Sequence, residues 1–228
     1  MPALPVNDKR RDQGEASKKL ILEAATRLIA EHGYDGTSLS QIAKASGLPS
    51  GSIYWHFESK AGVLAAVIRQ GAERFFAFFD HRPWFEGTPE ERLRQAMLHT
   101  VRSLMAQPEH RQFLQIQLRY LLNVHHHPSD SEFAAAADAA RAGGVEFMRR
   151  CVVESYLEQG RDFAEAAGAE VAEFGVLMVD GIFIALQNAT DDEAAREEKM
   201  NRLIDQTVVA LIGLIEDFRL RWQDEKTS

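Results

Sequence analysis

Cysteine is nearly missing from this chain: Cys151 is its one thiol in 228 residues. An internal disulfide is thereby excluded, as is any zinc site built from several cysteines. Nowhere does a run approach the 18 uncharged apolar residues of a membrane span. The opening, MPALPVNDKRRDQGEASKK, lacks the apolar core of a signal peptide. A soluble cytoplasmic protein is the expectation. No Gly-rich phosphate loop, HExxH pair or nucleophile elbow occurs, so the chain carries no enzyme signature and no cofactor is expected. Basic residues are outnumbered: 26 Lys+Arg against 34 Asp+Glu leave a net charge of −8. That balance is uneven along the chain. Residues 1–79 hold ten basic and eight acidic side chains, a net +2, and residues 80–228 carry −10. A surplus of +2 does not support tight non-specific nucleic-acid binding by counterion release alone. The acidic remainder argues against a protein that coats DNA.

What is present is a core-forming composition, 45% hydrophobic, long enough for one large domain or two smaller ones. The most informative stretch is residues 38–57, SLSQIAKASGLPSGSIYWHF. Ser38-x-x-Gln41 is a capping-box pattern that starts a helix. Leu39, Ile42 and Ala43 share one face of it. Ser46-Gly47 stops it, with Gly47 suited to the left-handed conformation of such a stop. Pro49 at the next helix start forfeits no hydrogen bond. In the helix that follows, Ile53 and Phe57 sit four apart and face inward. Ser50, Ser52, Tyr54, Trp55 and His56 cover the remaining surface, because four bulky residues in succession cannot all face one core. Helix, glycine turn and a short helix showing hydroxyls, rings and an imidazole describe a helix-turn-helix.

Before the motif, residues 1–16 read as a polar flexible tail. Its Lys9-Arg10-Arg11 run is surrounded by Asp8, Asp12 and Glu15, which favours a solvated tail over an arm lying in a DNA groove. A first helix spans about 17–33, with Leu20, Ile21, Ala24, Ala25, Leu28 and Ile29 as its buried stripe. After the motif, Ser59-Lys60 opens a fourth helix that turns Val63, Leu64, Val67 and Ile68 inward and continues through Phe75, Phe76, Phe78 and Phe79. Pro83 and Gly87 break it. Thr88-Pro89-Glu90-Glu91 restarts a fifth helix to about 107, and Pro108 opens a sixth that ends near His125-His126-His127. Ser129 caps a seventh, with a kink expected near Gly143-Gly144. An eighth covers about 169–188, and Thr190 caps a ninth reaching about 222. The sum is nine helices and no strand: an all-α protein. Phe174, Leu177, Met178, Gly181, Ile182 and Ala185 recur at helical spacing, as do Thr207, Ala210, Leu211, Leu214, Ile215 and Phe218. These two stripes are the candidates for self-association. A core within one protomer would leave the same periodicity. The histidine run reads as a solvated turn, since neighbouring helical residues splay too far to share one metal. Cys151, beside Arg149 and Arg150, reads as a buried, inert thiol over a reactive one.

Gly33-Tyr34, Thr37-Ser38, Ile42-Ala43, Ser46-Gly47, Gly51, Tyr54-Trp55-His56-Phe57, Lys60 and Leu64 stand in an order that resembles the TetR family of bacterial transcriptional regulators. The resemblance covers residues 24–64, less than a quarter of the chain. It implies a DNA-binding domain at 17–75 and a ligand-binding and dimerisation domain at 76–228. It also implies a homodimer on palindromic operator DNA that a small-molecule effector releases, usually as a repressor. DNA contacts are then expected from Thr37, Ser38, Lys44, Pro49, Ser50, Gly51, Ser52, Tyr54, Trp55, His56 and Lys60. Many relatives have Ser or Thr where Pro49 stands and Lys or Arg where Ser50 stands. The second difference weakens guanine readout and leaves more to DNA shape. Candidate effector contacts are Trp84, Met97, Met105, Phe113, Tyr120, Phe147, Met178 and Phe183, a lining suited to an apolar or aromatic molecule. Two other classes stay open on the sequence: a helical protein-interaction module, and a metal-dependent all-α enzyme using His125–His127.

Overall fold

The computed structural model describes residues 6–80, 85–123, 131–187 and 192–227. Among them are nine α-helices and no strand. They are α1 (Val6–His32), α2 (Leu39–Ser46), α3 (Ser50–Phe57), α4 (Lys60–Asp80), α5 (Pro89–Ala106), α6 (Pro108–Asn123), α7 (Ser131–Tyr156), α8 (Arg161–Gln187) and α9 (Glu193–Thr227). Among the described residues no helix is long and apolar enough to cross a membrane. Two expectations are corrected at once. The first helix starts at Val6, so most of the expected tail is helical, and α8 starts at Arg161 instead of 169. The His125–His127 run, the Ser129 and Thr190 caps and Trp84 lie outside the described residues. Asp192 is described, and it caps α9 by accepting the Ala194 and Ala195 N–H groups at 3.0 and 3.4 Å.

The chain forms two compact units. The first joins residues up to 75 with 111–140, and the second joins 76–110 with 141–228. The division expected from the sequence did not place 111–140 with the head. In the first unit α1, α2 and α3 pack on one another. Ile21, Ala25, Ile42, Ile53, Phe57, Leu64 and Ile68 are buried there. Each fully buried Ile or Leu contributes about 1.5–3 kcal/mol of transfer free energy. Phe113 of α6 lies against α4, where a Cβ on Gly71 would stand 2.7 Å from its ring.

In the second unit α8 packs along α9, and α5 packs on both. Leu93, Met97 and Leu104 of α5, Ile182, Phe183 and Leu186 of α8, and Ile204, Leu211 and Ile215 of α9 form its core. Thr88 opens α5 with the expected capping box: the Glu91 N–H donates to its hydroxyl at 3.2 Å and the Glu91 carboxylate accepts its N–H at 2.8 Å. The α7 helix runs unbroken through Gly143-Gly144. Gly143 makes room for the Phe76 ring, which lies 2.6 Å from where its Cβ would be. Cys151 is buried. Asp180 is buried on α8 and paired with Arg141 of α7. Burial raises its carboxyl above the usual value more than Arg141 lowers it.

His110 is buried with its Nδ1 2.7 Å from the Ser103 hydroxyl, and the Phe78 and Phe79 rings lie against it. Loss of solvation holds its pKa below the ordinary 6.5, ahead of the opposing pull of Glu109. An imidazole whose folded pKa is depressed binds fewer protons in the folded chain than in the unfolded one. Its stabilisation is full above pH 6.5 and is lost as pH falls through the folded value. Thermal melts at pH 7.5 and 5.5 are expected to show lower stability at 5.5, with His110→Gln narrowing that difference.

Candidate nucleic-acid interface

The loop entering the motif is closed by backbone and side-chain bonds. Gly33, at φ +75°, ends α1 by donating to Ile29 O at 2.9 Å. The Thr37 hydroxyl donates to Gly33 O at 2.8 Å and the Thr37 N–H to Tyr34 O at 3.2 Å. Thr37 is only 2% exposed. Its expected place on a phosphate is corrected: the hydroxyl satisfies an orphan carbonyl at the end of α1. Ser38 holds α2 by the expected capping box, accepting from Gln41 N at 3.2 Å while the Gln41 side chain accepts the Ser38 N–H at 2.7 Å. That hydroxyl also lies 2.9 Å from the Ser40 hydroxyl, so Ser38 is a cap first. Lys44 stands exposed in the last turn of α2.

Gly47, at φ +71°, closes α2 by donating to Ala43 O, and Leu48 donates to the same carbonyl at 3.2 Å. Pro49 is the N-cap of α3 and supplies no side-chain hydrogen bond. The first turn of α3 therefore begins without a side-chain cap, and its N–H groups are dipole-positive and exposed beside Ser50 and Gly51. A Cβ on Gly51 would meet nothing within 4 Å, so no protein neighbour requires glycine there. Ile53 and Phe57 are buried, while Tyr54 and Trp55 are 56% and 75% exposed. Ser52 is half-buried.

The Trp55 ring meets α1. A Cβ on Gly14 would stand 3.7 Å from its Cζ3 atom. The stretch read as a free tail thus borders the most exposed ring of the recognition helix, a role no local sequence signal reveals. His56 is half-buried. Burial first, and the Lys18 ammonium second, lower its pKa, with Glu15 opposing. At neutral pH it offers an N–H donor without a charge. Lys60 is half-buried with its ammonium 4.0 Å from the Tyr34 ring centroid.

Two further positions shape the end of α3. Glu58 has φ +56° and ψ −37°, and the Ser59 N–H folds back onto Phe57 O in a γ-turn. Such backbone geometry is strained for a residue with a Cβ. A Cβ on Gly62 would collide with the Phe57 carbonyl oxygen, so α4 approaches the end of the recognition helix as only glycine allows.

The candidate effector contacts among the described residues are divided between the two units. Phe113 and Tyr120 belong to the first unit, and Met97, Met105, Phe147, Met178 and Phe183 to the second. The self-association stripes also mix two faces. Ile182, Thr207, Leu211 and Ile215 are buried within the protomer, which corrects their assignment to a dimer surface. Leu177, Gly181, Ala210 and Leu214 are exposed, and Phe174, Met178, Ala185 and Phe218 are half-buried. Ile184, Val209, Gly213 and Leu220 extend the exposed apolar face.

Residues 21–67 match the model of the bacterial regulatory proteins of the tetR family. Among curated relatives, the HTH-type transcriptional regulator AcrR of Shigella flexneri is 28% identical over 109 residues, 47% of this chain and 51% of its own length. The chain spans about half the length of the curated relatives it matches. A TetR-family transcriptional regulator from Agrobacterium tumefaciens has the same fold, with a TM-score of 0.65 at 18% identity over 85% of this chain and 98% of that one. So has AibR, solved with isovaleryl coenzyme A and operator DNA, at a TM-score of 0.55 and 21% identity over 83% of this chain and 97% of that one. The helix-turn-helix thus lies inside the residues that match the tetR-family model, and the helical fold beyond them is shared with those solved structures.

Proposed function

We propose that the protein is a ligand-responsive transcriptional regulator that binds palindromic operator DNA as a homodimer, acting as a repressor released by a small-molecule effector. The observation that carries this reading is the division of labour on α3. Ile53 and Phe57 anchor it, while Tyr54 and Trp55 project from it beside an open helix N-terminus at Ser50 and Gly51. A helix held by its inner face and showing rings, hydroxyls and N–H groups outward fits a major groove. Ser50, Gly51, Ser52, Tyr54, Trp55, His56 and Lys44 are the contacts we assign, with Pro49 shaping the approach. Pairing of protomers falls to the exposed face of α8 and α9. Effector response is supported by a neighbour of the same fold having been solved with an acyl-coenzyme A and operator DNA. The fold and family support a regulator in place of an enzyme.

The test is binding of purified protein to the DNA upstream of its own gene at about 50 and 200 mM salt, beside a Tyr54→Ala variant. Selective binding that weakens between the two salts and is lost in the variant is the expected result. Association that ignores salt and shifts no duplex would favour a protein-interaction module.

A further inference from the structure

The recognition surface is short of positive charge. Within residues 38–57 Lys44 is the one lysine or arginine, and the Lys60 ammonium that follows lies against the Tyr34 ring. Duplex DNA is held largely by cations set against several of its phosphates. Others must therefore come from an element beside the motif, and that element is α1. Two observations fix the face that α1 turns to α3. A Cβ on Gly14 would stand 3.7 Å from the Trp55 ring. One turn on, Lys18 lines a groove with His56, whose pKa is lowered by burial and then by the Lys18 ammonium. The same face continues into Ile21 and Ala25, both buried. Because α1 is continuous from Val6, it runs about two turns past Trp55.

Helical register sorts the charges that the sequence interleaves in these turns. At about 100° per residue, position 10 falls about 40° from Gly14, on the α3 side. Asp8, Asp12 and Glu15 fall about 100–160° away, and Lys9 about 140° away in the other direction. Neighbours one turn off then separate the three basic residues. Arg11 has Asp8 at i−3 and Glu15 at i+4, and Lys9 has Asp12 at i+3, spacings that suit ion pairs along the helix. Arg10 has Val6, Asn7, Gln13 and Gly14 at those spacings, none of them charged. We propose that Arg10 is a DNA contact, meeting a phosphate of the strand that flanks the groove α3 enters, one turn of α1 beyond Trp55.

This inference rests on the DNA-binding function proposed above. A guanidinium suits the role, since its planar fork pairs with two phosphate oxygens at once. A phosphate contact carries no sequence information. Arg10 therefore adds affinity and fixes how α3 sits in the groove, without choosing bases.

Fluorescence anisotropy of the full chain with the upstream duplex and with a scrambled one, over several salt concentrations, tests it. Arg10→Ala is expected to weaken binding to both duplexes alike, about fivefold or more at about 100 mM salt. The slope of log affinity against log salt should become shallower by about 0.9, one phosphate contact. Arg10→Lys keeps a cation and is expected to restore that slope. Lys9→Ala removes the same charge from the far side of α1, where salt screens it, and is expected to change affinity less than about twofold. Alanine favours a helix, so melting temperature and helical content should hold in both alanine variants. Equal losses in Lys9→Ala and Arg10→Ala would mean that net charge alone acts, and would overturn the assignment. So would a parental salt slope in Arg10→Ala, or a loss confined to the upstream duplex. If Tyr54→Ala loses binding and Arg10→Ala does not, this contact fails and the regulator stands. If the parent binds no duplex at any salt, both fail.

Discussion

Trp55→Ala is expected to lower operator affinity about tenfold or more while leaving the melting temperature nearly unchanged. The indole is 75% exposed, and surface substitutions of that kind move stability by about 0.5 kcal/mol or less. One good base contact is worth about 1–3 kcal/mol, and each 1.4 kcal/mol is about a factor of ten. The buried neighbour supplies the contrast. Ile53 is 1% exposed two positions away, so Ile53→Ala should lose DNA binding through lost stability, about 2–5 kcal/mol by the usual cost of such a cavity. Salt dependence separates the two kinds of DNA contact. Trp55 carries no charge, so its loss should leave the slope of log affinity against log salt unchanged. Lys44→Ala should make that slope shallower by about 0.9, one phosphate contact. Fluorescence anisotropy with the upstream duplex at several salt concentrations, paired with thermal melts, reads both. Trp55→Ala binding as tightly as the parent would place the DNA surface elsewhere.

The helix-turn-helix was legible because its signals are local. The Ser38–Gln41 box, the Gly47 stop and the Ile53–Phe57 pair each act within one turn, and each took the geometry its residue types require. The start of α1 was not legible, because residues 6–16 are polar and show no apolar period for a helix to announce itself by. Thr37 misled for a related reason. A hydroxyl beside a DNA-binding motif reads as a phosphate contact until the loop folds and an orphan carbonyl claims it. The strain at Glu58 and the close approach at Gly62 depend on how α3 meets α4, a backbone path that no residue type declares. The placement of 111–140 in the first unit rests on packing between segments far apart in sequence. On α8 and α9 the period was right and the face was ambiguous. A helix apolar on two sides gives one stripe to its own core and one to solvent, and spacing alone does not say which residues go where.

That separation of faces makes the dimer decidable. Leu214→Glu is expected to convert a dimer into a monomer with full helical content, as read by sedimentation and circular dichroism. Leu214 is 42% exposed and Val209 65% exposed on α9, and Leu177 is 50% exposed on α8. Nothing lies within 4 Å of a Cβ built on Gly181 or Gly213, so a second pair of helices finds no side chain in its way there. A two-fold interface presents each position twice. One substitution therefore removes two leucines, each worth about 1.5–3 kcal/mol when buried, and sets two carboxylates in an apolar contact. The dimer dissociation constant should rise at least a hundredfold. Operator binding should fall with it, because half-sites about 34–36 Å apart need two linked heads, and losing that linkage costs about 10²–10⁴ in avidity. Leu211→Glu is the control that gives the result its meaning. Leu211 is fully buried within the protomer, so a carboxylate there should lower the melting temperature and helical content instead of yielding a folded monomer. If Leu214→Glu and Val209→Glu both leave the dimer intact, the exposed face of α8 and α9 is not the pairing surface, and the two heads must be brought together some other way.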